Sequence, residues 1–257
     1  MTHRSQYTDD VLNEMQLLYG EGYLSPGGAE EVDAILHGIS LQSCRVLDLG
    51  CGVGGAAIRI TRDLGAASVV GMDVEARSIE RANAAAEAAG LSGQISFECV
   101  APGPIPAQDE SFDIVFLKDV FCHLEDKQPL FREINRVLRK GGVLAFSAWT
   151  TGIATMPGDT QTPRVVRRPD GLVLYFEPLT HYVNGLERSG FSSVVTNEHS
   201  NELLARTRSE LDKVMALQRL HPDSGKMEQR IKVTERRLDS LQTGRLEHWH
   251  LRAARAL

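Results

Sequence analysis

Val46-Leu47-Asp48-Leu49-Gly50-Cys51-Gly52-Val53-Gly54-Gly55 leaves an apolar strand, turns through glycines and runs into a helical stretch over 56–64. Glycine suits such a turn because the backbone must bend sharply and come close to a ligand. Gly50, Gly52 and Gly55 also satisfy a dinucleotide-binding spacing, which by itself discriminates little. Asp48, two residues before the first glycine, would crowd a pyrophosphate but can help hold a cationic amino-acid tail. Asp73 ends the next strand about twenty residues on, placed to accept hydrogen bonds from both ribose hydroxyls. A nucleoside with a methionine tail satisfies both acids, whereas NAD satisfies only the second. The expected cofactor is therefore S-adenosylmethionine, leaving as S-adenosylhomocysteine.

Outward from this turn, short apolar strands read at 45–49, 67–73, 95–98, 113–117 and 143–148. Helical stretches read at 56–64, 76–89 and 129–138, ending at Gly65, Gly90 and Gly141-Gly142. Such alternation predicts an α/β, doubly wound, Rossmann-like and mostly parallel sheet with helices on both faces. Before it, Val11, Leu12, Met15, Leu18 and Tyr19 keep helical spacing, and a second helix follows the turn Ser25-Pro26-Gly27-Gly28. Residues 1–40 are thus expected to form a helical cap and 41–150 the cofactor-binding core. In 151–257 a mobile loop, remaining core elements and a C-terminal helical substrate lid are expected. The loop spans 150–171, where Thr, Gly, Pro and Arg replace the apolar period. A helix at 178–189, a strand at 191–195, helices at 200–220 and 224–244, and an edge strand at 247–254 complete the prediction.

Composition narrows the partners. Of 257 residues 42% are hydrophobic, and the net charge of -6 argues against a nucleic-acid protein. Arg164, Arg167 and Arg168 read as a solvated face, because no aromatics suited to stacking bases surround them. The four cysteines are scattered, with no Cys-x-x-Cys pair, so neither a zinc site nor a disulfide framework is expected. No signal-peptide pattern and no apolar run of membrane-spanning length occurs. A cytoplasmic protein acting on a small-molecule substrate, without metal, nucleic acid or membrane, is the expectation. No oligomeric signal stands out.

The stretch from Arg45 to Ala148 resembles the class I methyltransferase signature, in which strand, Asp-x-Gly-x-Gly-x-Gly, helix and a strand ending in Asp follow one another. Gln6-Tyr7-Thr8-Asp9 and Tyr19-Gly20-Glu21-Gly22-Tyr23-Leu24-Ser25-Pro26-Gly27-Gly28 resemble the entry segment of phosphoethanolamine N-methyltransferases. Lys118-Asp119-Val120-Phe121-Cys122-His123-Leu124 is similar to that family's segment after its fourth strand. The resemblance implies that Gly50 and Gly52 line the methionine end, that Asp73 holds the ribose and that Val74 packs on adenine. It places Gln6, Leu24 and Ser25 in a lid over the cofactor and Lys118 against the cofactor region. Asp119 would face the substrate's cation, Trp149 would stand beside the substrate, and Tyr7 with His123 would form a catalytic pair.

An ammonium group has no lone pair with which to attack a methyl, so a base must first remove a proton, and a histidine titrates in the right range. Two departures from the family stand out. Cys99-Val100-Ala101-Pro102 occupies the place of an acidic adenine ligand. The family's Arg-x-Tyr pair falls near Leu172-Val173-Leu174, and its C-terminal lysine near Glu235. A phosphate facing those residues would lose its solvation without a partner. The expected reaction is methyl transfer to a small non-phosphorylated molecule, foremost an amine. O- or C-methylation, or cofactor binding without transfer in the manner of a cyclase, are the alternatives; a nicotinamide dehydrogenase is disfavoured by Asp48.

Overall fold

The computed structural model describes residues 7–152, 164–167, 171–220 and 225–257. Two helices, α1 (Asp9–Tyr19) and α2 (Gly28–Leu36), precede the sheet; Thr8 caps α1, accepting a hydrogen bond from the Val11 amide. Strands β1 (Arg45–Leu49), β2 (Ser68–Asp73), β3 (Ile95–Cys99), β4 (Phe112–Leu117) and β5 (Leu138–Thr151) follow. They alternate with α3 (Gly55–Arg62), α4 (Ala76–Ala88) and α5 (Gln128–Val137), while a 3-10 turn, Phe121–His123, comes after β4. These five strands are parallel in the order β3-β2-β1-β4-β5, as strand–helix alternation dictates.

Period-two alternation splits the core between the two faces. Val46, Ile114, Phe116 and Ala145 pack with Ile35, Ile60 and Ala82 of α2, α3 and α4. Leu47, Val115, Leu117, Leu144 and Phe146 turn the other way, against Phe131 and Ile134 of α5 and Tyr182 of α6 (Leu179–Arg188). On that second face the rings of Phe121, Phe131, Phe146 and Tyr182 cluster, with Phe121 4.8 Å from both Phe131 and Phe146.

Two expectations change in the second half. The predicted loop over 150–171 instead contains the end of β5 and a strand, β6 (Arg164–Arg167), which pairs antiparallel with β7 (Val173–Pro178). Val165, Val166, Val173, Leu174 and Tyr175 are β-favouring residues, and the two short strands stabilise each other through register rather than through a long apolar period. The rest of that predicted mobile loop, 153–163 and 168–170, lies outside the described residues, as does Arg168. The strand predicted at 247–254 is β9 (Leu246–Arg255), and it is interior rather than an edge. It lies between β5 and β8 (Phe191–Glu198), antiparallel to both. Two long helices, α7 (Ser200–Leu220) and α8 (Gly225–Gln242), pack on each other beside it. No helix among the described residues is long and apolar enough to cross a membrane.

Removing the Phe146 ring should leave a void among the three remaining aromatic side chains. Phe146→Ala is expected to destabilise the fold by ~3–5 kcal/mol, read as a lower urea midpoint with an unchanged denaturant slope.

Candidate active site

Strands β1 and β4 are neighbours, yet α3 after β1 packs on one face and α5 after β4 on the other. The chain therefore diverges at their C-terminal ends, and a crevice opens there. Beyond the end of β4 the same edge of β5 stays unpaired until β7 joins at Thr150 and Thr151, which widens the opening. A cavity of about 1090 Å³ occupies this place.

The glycine turn forms its floor. Gly50, Gly52 and Gly54 have φ of 77°, 54° and 88°, a region L side chains rarely enter. A Cβ on Gly50 would also stand 2.4 Å from Val120 Cγ2. The turn is held by Asp73, whose Oδ2 accepts from the Gly52 amide at 2.8 Å and whose Oδ1 accepts from the Glu75 amide at 3.0 Å. A carboxylate has about four acceptor sites, so Asp73 retains capacity for hydroxyl donors in the cavity it lines.

Asp48 lies deeper, 1% exposed, and also lines the cavity. Burial, and then the nearby Asp73 charge, push its pKa up to about 7. Its Oδ2 has no hydrogen-bond partner. A buried carboxylate beside a cavity, with one oxygen lacking a hydrogen-bond partner, is complementary to a cationic group. The cavity thus offers a bare turn for a close-lying chain, a carboxylate for an ammonium and another for paired hydroxyls. That donor and acceptor set fits S-adenosylmethionine. Val74, Val100, Ala101 and Pro102 supply an apolar wall at the β2 and β3 ends.

The N-terminal segment closes one side. The Gly55 amide donates to the Gly22 carbonyl at 3.1 Å, and a Cβ on Gly55 would strike that carbonyl oxygen at 2.3 Å. Leu24 lies over Gly52, where a Cβ would meet Leu24 Cδ1 at 3.2 Å. The buried Lys118 amine donates to the Pro26 carbonyl at 2.8 Å, to Ser25 Oγ and to Asp119 Oδ2 at 3.2 Å. Lys118 lines the cavity, but its hydrogen bonds tie the N-terminal segment down.

Asp119 has a left-handed backbone, φ 59°, rare for a residue with a side chain. Its Oδ1 accepts from Ser147 Oγ at 2.9 Å and Trp149 Nε1 at 2.8 Å. Burial alone would raise its pKa; Lys118 and His248 beside it outweigh that and hold it well below the usual carboxylate range. Trp149 is 8% exposed, and the Arg237 guanidinium lies 6.0 Å from its ring centroid, covering one face. Tyr7 and His123 both line the cavity, His123 exposed at the end of the 3-10 turn with Cys122 buried beside it. The structure therefore brings Tyr7, Leu24, Ser25, Asp48, Gly50, Gly52, Asp73, Val74, Lys118, Asp119, His123 and Trp149 to one cavity. Gln6 lies outside the described residues.

Several groups escaped the reading of the sequence. Leu172 and Leu174 line the far end together with Val166, Phe176, Val233 and Leu246, and four arginines join them: Arg167, Arg230, Arg236 and Arg237. Arg230 is paired with Glu14 at 2.9 Å and Arg237 with Glu210. Arg167 was read as part of a solvated face; it is exposed, but at the cavity rim. Behind Asp119, Glu31 of α2 and His248 and His250 of β9 are buried together. Burial would raise the Glu31 pKa, but the hydrogen bond from His250 and the charge of His248 hold it at about 2. Histidines two apart in a strand share a face, and that was the available signal for this pair.

A family profile described as a methyltransferase domain matches residues 47–146. Phosphoethanolamine N-methyltransferase 1 of Arabidopsis thaliana is 27% identical over 81% of this chain, which spans 41% of that relative's length. Phosphoethanolamine N-methyltransferase 2 of Haemonchus contortus, solved with phosphomonomethylethanolamine and S-adenosylhomocysteine, superposes over 99% of this chain and 59% of its own. Its TM-score is 0.84 at 19% identity. The [4+2]-cyclase SpnF superposes over 96% of this chain and 93% of its own, with a TM-score of 0.75 at 21% identity.

With its pKa pushed up to about 7 by burial and the Asp73 charge, Asp48 gains its ionised form when an ammonium ligand binds beside it. Below that pH, binding must release a proton. S-adenosylhomocysteine affinity is expected to weaken as pH falls through about 7 and to level off above it. In Asp48→Asn the affinity should be lower at every pH and the dependence flat; calorimetry across pH 5.5–8.5 (a range of roughly one and a half units either side) reads both.

Proposed function

We propose that this class I S-adenosylmethionine-dependent methyltransferase, which resembles the phosphoethanolamine N-methyltransferases, transfers a methyl group to a small non-phosphorylated acceptor, foremost an amine. The carrying observation is the apolar far end of the cavity. Leu172, Leu174, Val233 and Phe176 line the wall where a phosphate would require donors, and the two arginines nearest the core are already committed to Glu14 and Glu210. Against those apolar side chains phosphoryl oxygens would give up water for nothing and would have to turn to Arg167 or Arg236, whereas an apolar acceptor would gain by burial.

The cofactor end follows from the same wall. Asp48 holds the ammonium of the amino-acid tail, Gly50 and Gly52 let the chain lie close, Asp73 takes the ribose hydroxyls, and Val74 packs on the base. Adenine is held by Val74, Val100, Ala101 and Pro102 through packing and backbone groups, the stretch 99–102 itself offering no acidic side chain. Gln6, Leu24 and Ser25 cover it, Ser25 through its bond to Lys118. When bound, the cofactor supplies an electrophilic methyl on a sulfonium.

The chain's own residues then position and deprotonate. Trp149 and Asp119 form the wall beside the acceptor, and the Tyr7 hydroxyl orients it. His123, or a water it holds, accepts the proton that an ammonium must lose before its nitrogen can attack. Exposure of His123 lets that proton pass to solvent. Alignment of nitrogen with the sulfonium methyl supplies the remainder. The division into N-terminal cap (1–40), core (41–150) and C-terminal lid (151–257) belongs to this reading, as does a reducing, cytoplasmic setting, consistent with four free cysteines.

One observation favours a second reading, O- or C-methylation. Lys118 already neutralises Asp119, so an uncharged hydroxyl or carbon acid would not have to compete for that carboxylate. Transfer to a panel of amines, phenols, carbon acids and phosphoethanolamine, scored by S-adenosylhomocysteine release, separates the readings. Turnover of amines with none of phosphoethanolamine is the expected result. His123→Ala should lower kcat by ~10²-fold or more while leaving S-adenosylhomocysteine affinity unchanged; a wild-type rate would remove His123 from the chemistry.

A further inference from the structure

The inner wall of the site continues behind Asp119 into a buried polar array on one face of β5 and β9. Trp149 of β5 stands directly opposite His248 of β9, and Ser147 opposite His250. Alternate residues of paired strands share a face, so these four side chains form one layer. Ser147 and Trp149 both donate to Asp119 Oδ1, and His248 Nε2 lies 3.4 Å from the same oxygen. The Asp119 amide in turn donates to Ser147 Oγ at 3.0 Å. Oδ1 is therefore the anchored oxygen, while Oδ2 faces Lys118.

His248 reaches a second carboxylate from its other ring nitrogen. Nδ1 lies 3.6 Å from Glu31 Oε1, and that oxygen also meets His250 Nε2 at 2.5 Å. Arg206 of α7 donates to Glu31 Oε2, with Glu30 3.9 Å from the same guanidinium. The His248 ring packs edge-on to Trp149 at 5.2 Å and to His250 at 5.5 Å, and His199 stacks on His250 at 3.7 Å. Glu31, His248 and His250 together have the spacing of a metal site, with ligand atoms within 4.8 Å. Glu31 already takes Arg206 and the His250 hydrogen bond, and a second cation beside that guanidinium would be repelled. The array is two sets of hydrogen bonds, one at Asp119 and one at Glu31, joined by the 3.6 Å ion-pair approach of His248 Nδ1 to Glu31.

We propose that His248 is a positioning residue for methyl transfer: from β9 it fixes the rotamer of Asp119 and, through it, the plane of Trp149, its own ring packed against Trp149 and His250 beside the charge of buried Glu31. Asp119 needs such over-determination because its backbone sits in a strained left-handed conformation. From the β9 side it is His248 that reaches Oδ1. Loss of His248 frees the carboxylate to rotate towards Lys118, and the Trp149 indole then loses its acceptor. The catalytic part of this inference rests on the methyl-transfer reading, in which the acceptor lies against Asp119 and Trp149; the structural part does not.

His248→Leu and His248→Gln in the full chain test it, since a glutamine amide nitrogen can take the place of ring Nε2 whereas leucine offers no donor. The chain has two tryptophans, so two indole N–H signals report directly by NMR without any turnover. The Trp149 signal should move and exchange faster with solvent in His248→Leu and return towards its wild-type position in His248→Gln. With an acceptor from the panel, kcat/KM in His248→Leu should fall roughly a hundredfold, and His248→Gln should recover most of it, with S-adenosylhomocysteine affinity unchanged in both. An unmoved Trp149 signal in folded His248→Leu, or a glutamine variant as impaired as the leucine variant, overturns the proposal. A moved signal in a protein that methylates no panel member overturns the methyl-transfer reading instead and leaves the positioning role supported.

Discussion

The buried ion pair of Lys118 and Asp119 is the interaction on which the site's assembly depends. Both side chains are under a tenth exposed, so each would be costly alone in an apolar interior. Joined, they connect four parts of the molecule. Lys118 binds Ser25 and Pro26 of the N-terminal segment, and Asp119 binds Ser147 and Trp149 of β5 and meets His248 of β9. A hydrophobic pair of equal volume would fill the same space but could not dictate which segments meet there. Polarity here specifies an arrangement rather than adding stability.

The cavity has two carboxylates of opposite character, and their neighbours explain the contrast. Asp48 has no cation beside it and one oxygen without a partner, so burial and Asp73 drive its pKa upward. Asp119 is equally buried yet ionised, because Lys118 and several donors surround it. The first is incomplete until a cation arrives, while the second is complete within the protein. In the proposed function it is Asp48, at the glycine-turn end, that meets the ammonium of the cofactor's amino-acid tail. Farther along the cavity Asp119 is already paired with Lys118, and apolar side chains line much of the wall.

Much of this was legible in the residues. Asp48, the glycines and Asp73 lie within one strand–turn–helix–strand unit, where local sequence determines local geometry, and the strand limits there needed only small changes. The β6–β7 hairpin was hidden because its strands are short and flank a stretch without apolar period; only pairing with each other and with β5 stabilises them. The interior place of β9 was hidden for a different reason. Leu246, His248, His250 and Ala253 are all buried, and polar residues at buried positions mimic the alternation of an edge strand. Glu31 reads as an ordinary acidic residue in the first turn of a helix, and its histidine partners lie more than two hundred positions away. Distant polar pairs of this kind leave no periodic trace.

The placement of β9 also bears on the order in which the chain can fold. Among the described residues β8 meets the sheet only through β9, and β9 in turn needs β5. During synthesis β8 emerges before the strand that must separate it from β5. If it docked directly on β5 it would satisfy its backbone in the wrong place and exclude the histidines from behind Asp119. The α7–α8 pair lies between β8 and β9 in sequence, and its compact antiparallel form brings the ends of that excursion back together. Helix α8, which lines the cavity in the finished protein, thus belongs to the same excursion that must close before the strand carrying His248 can take its place between β5 and β8.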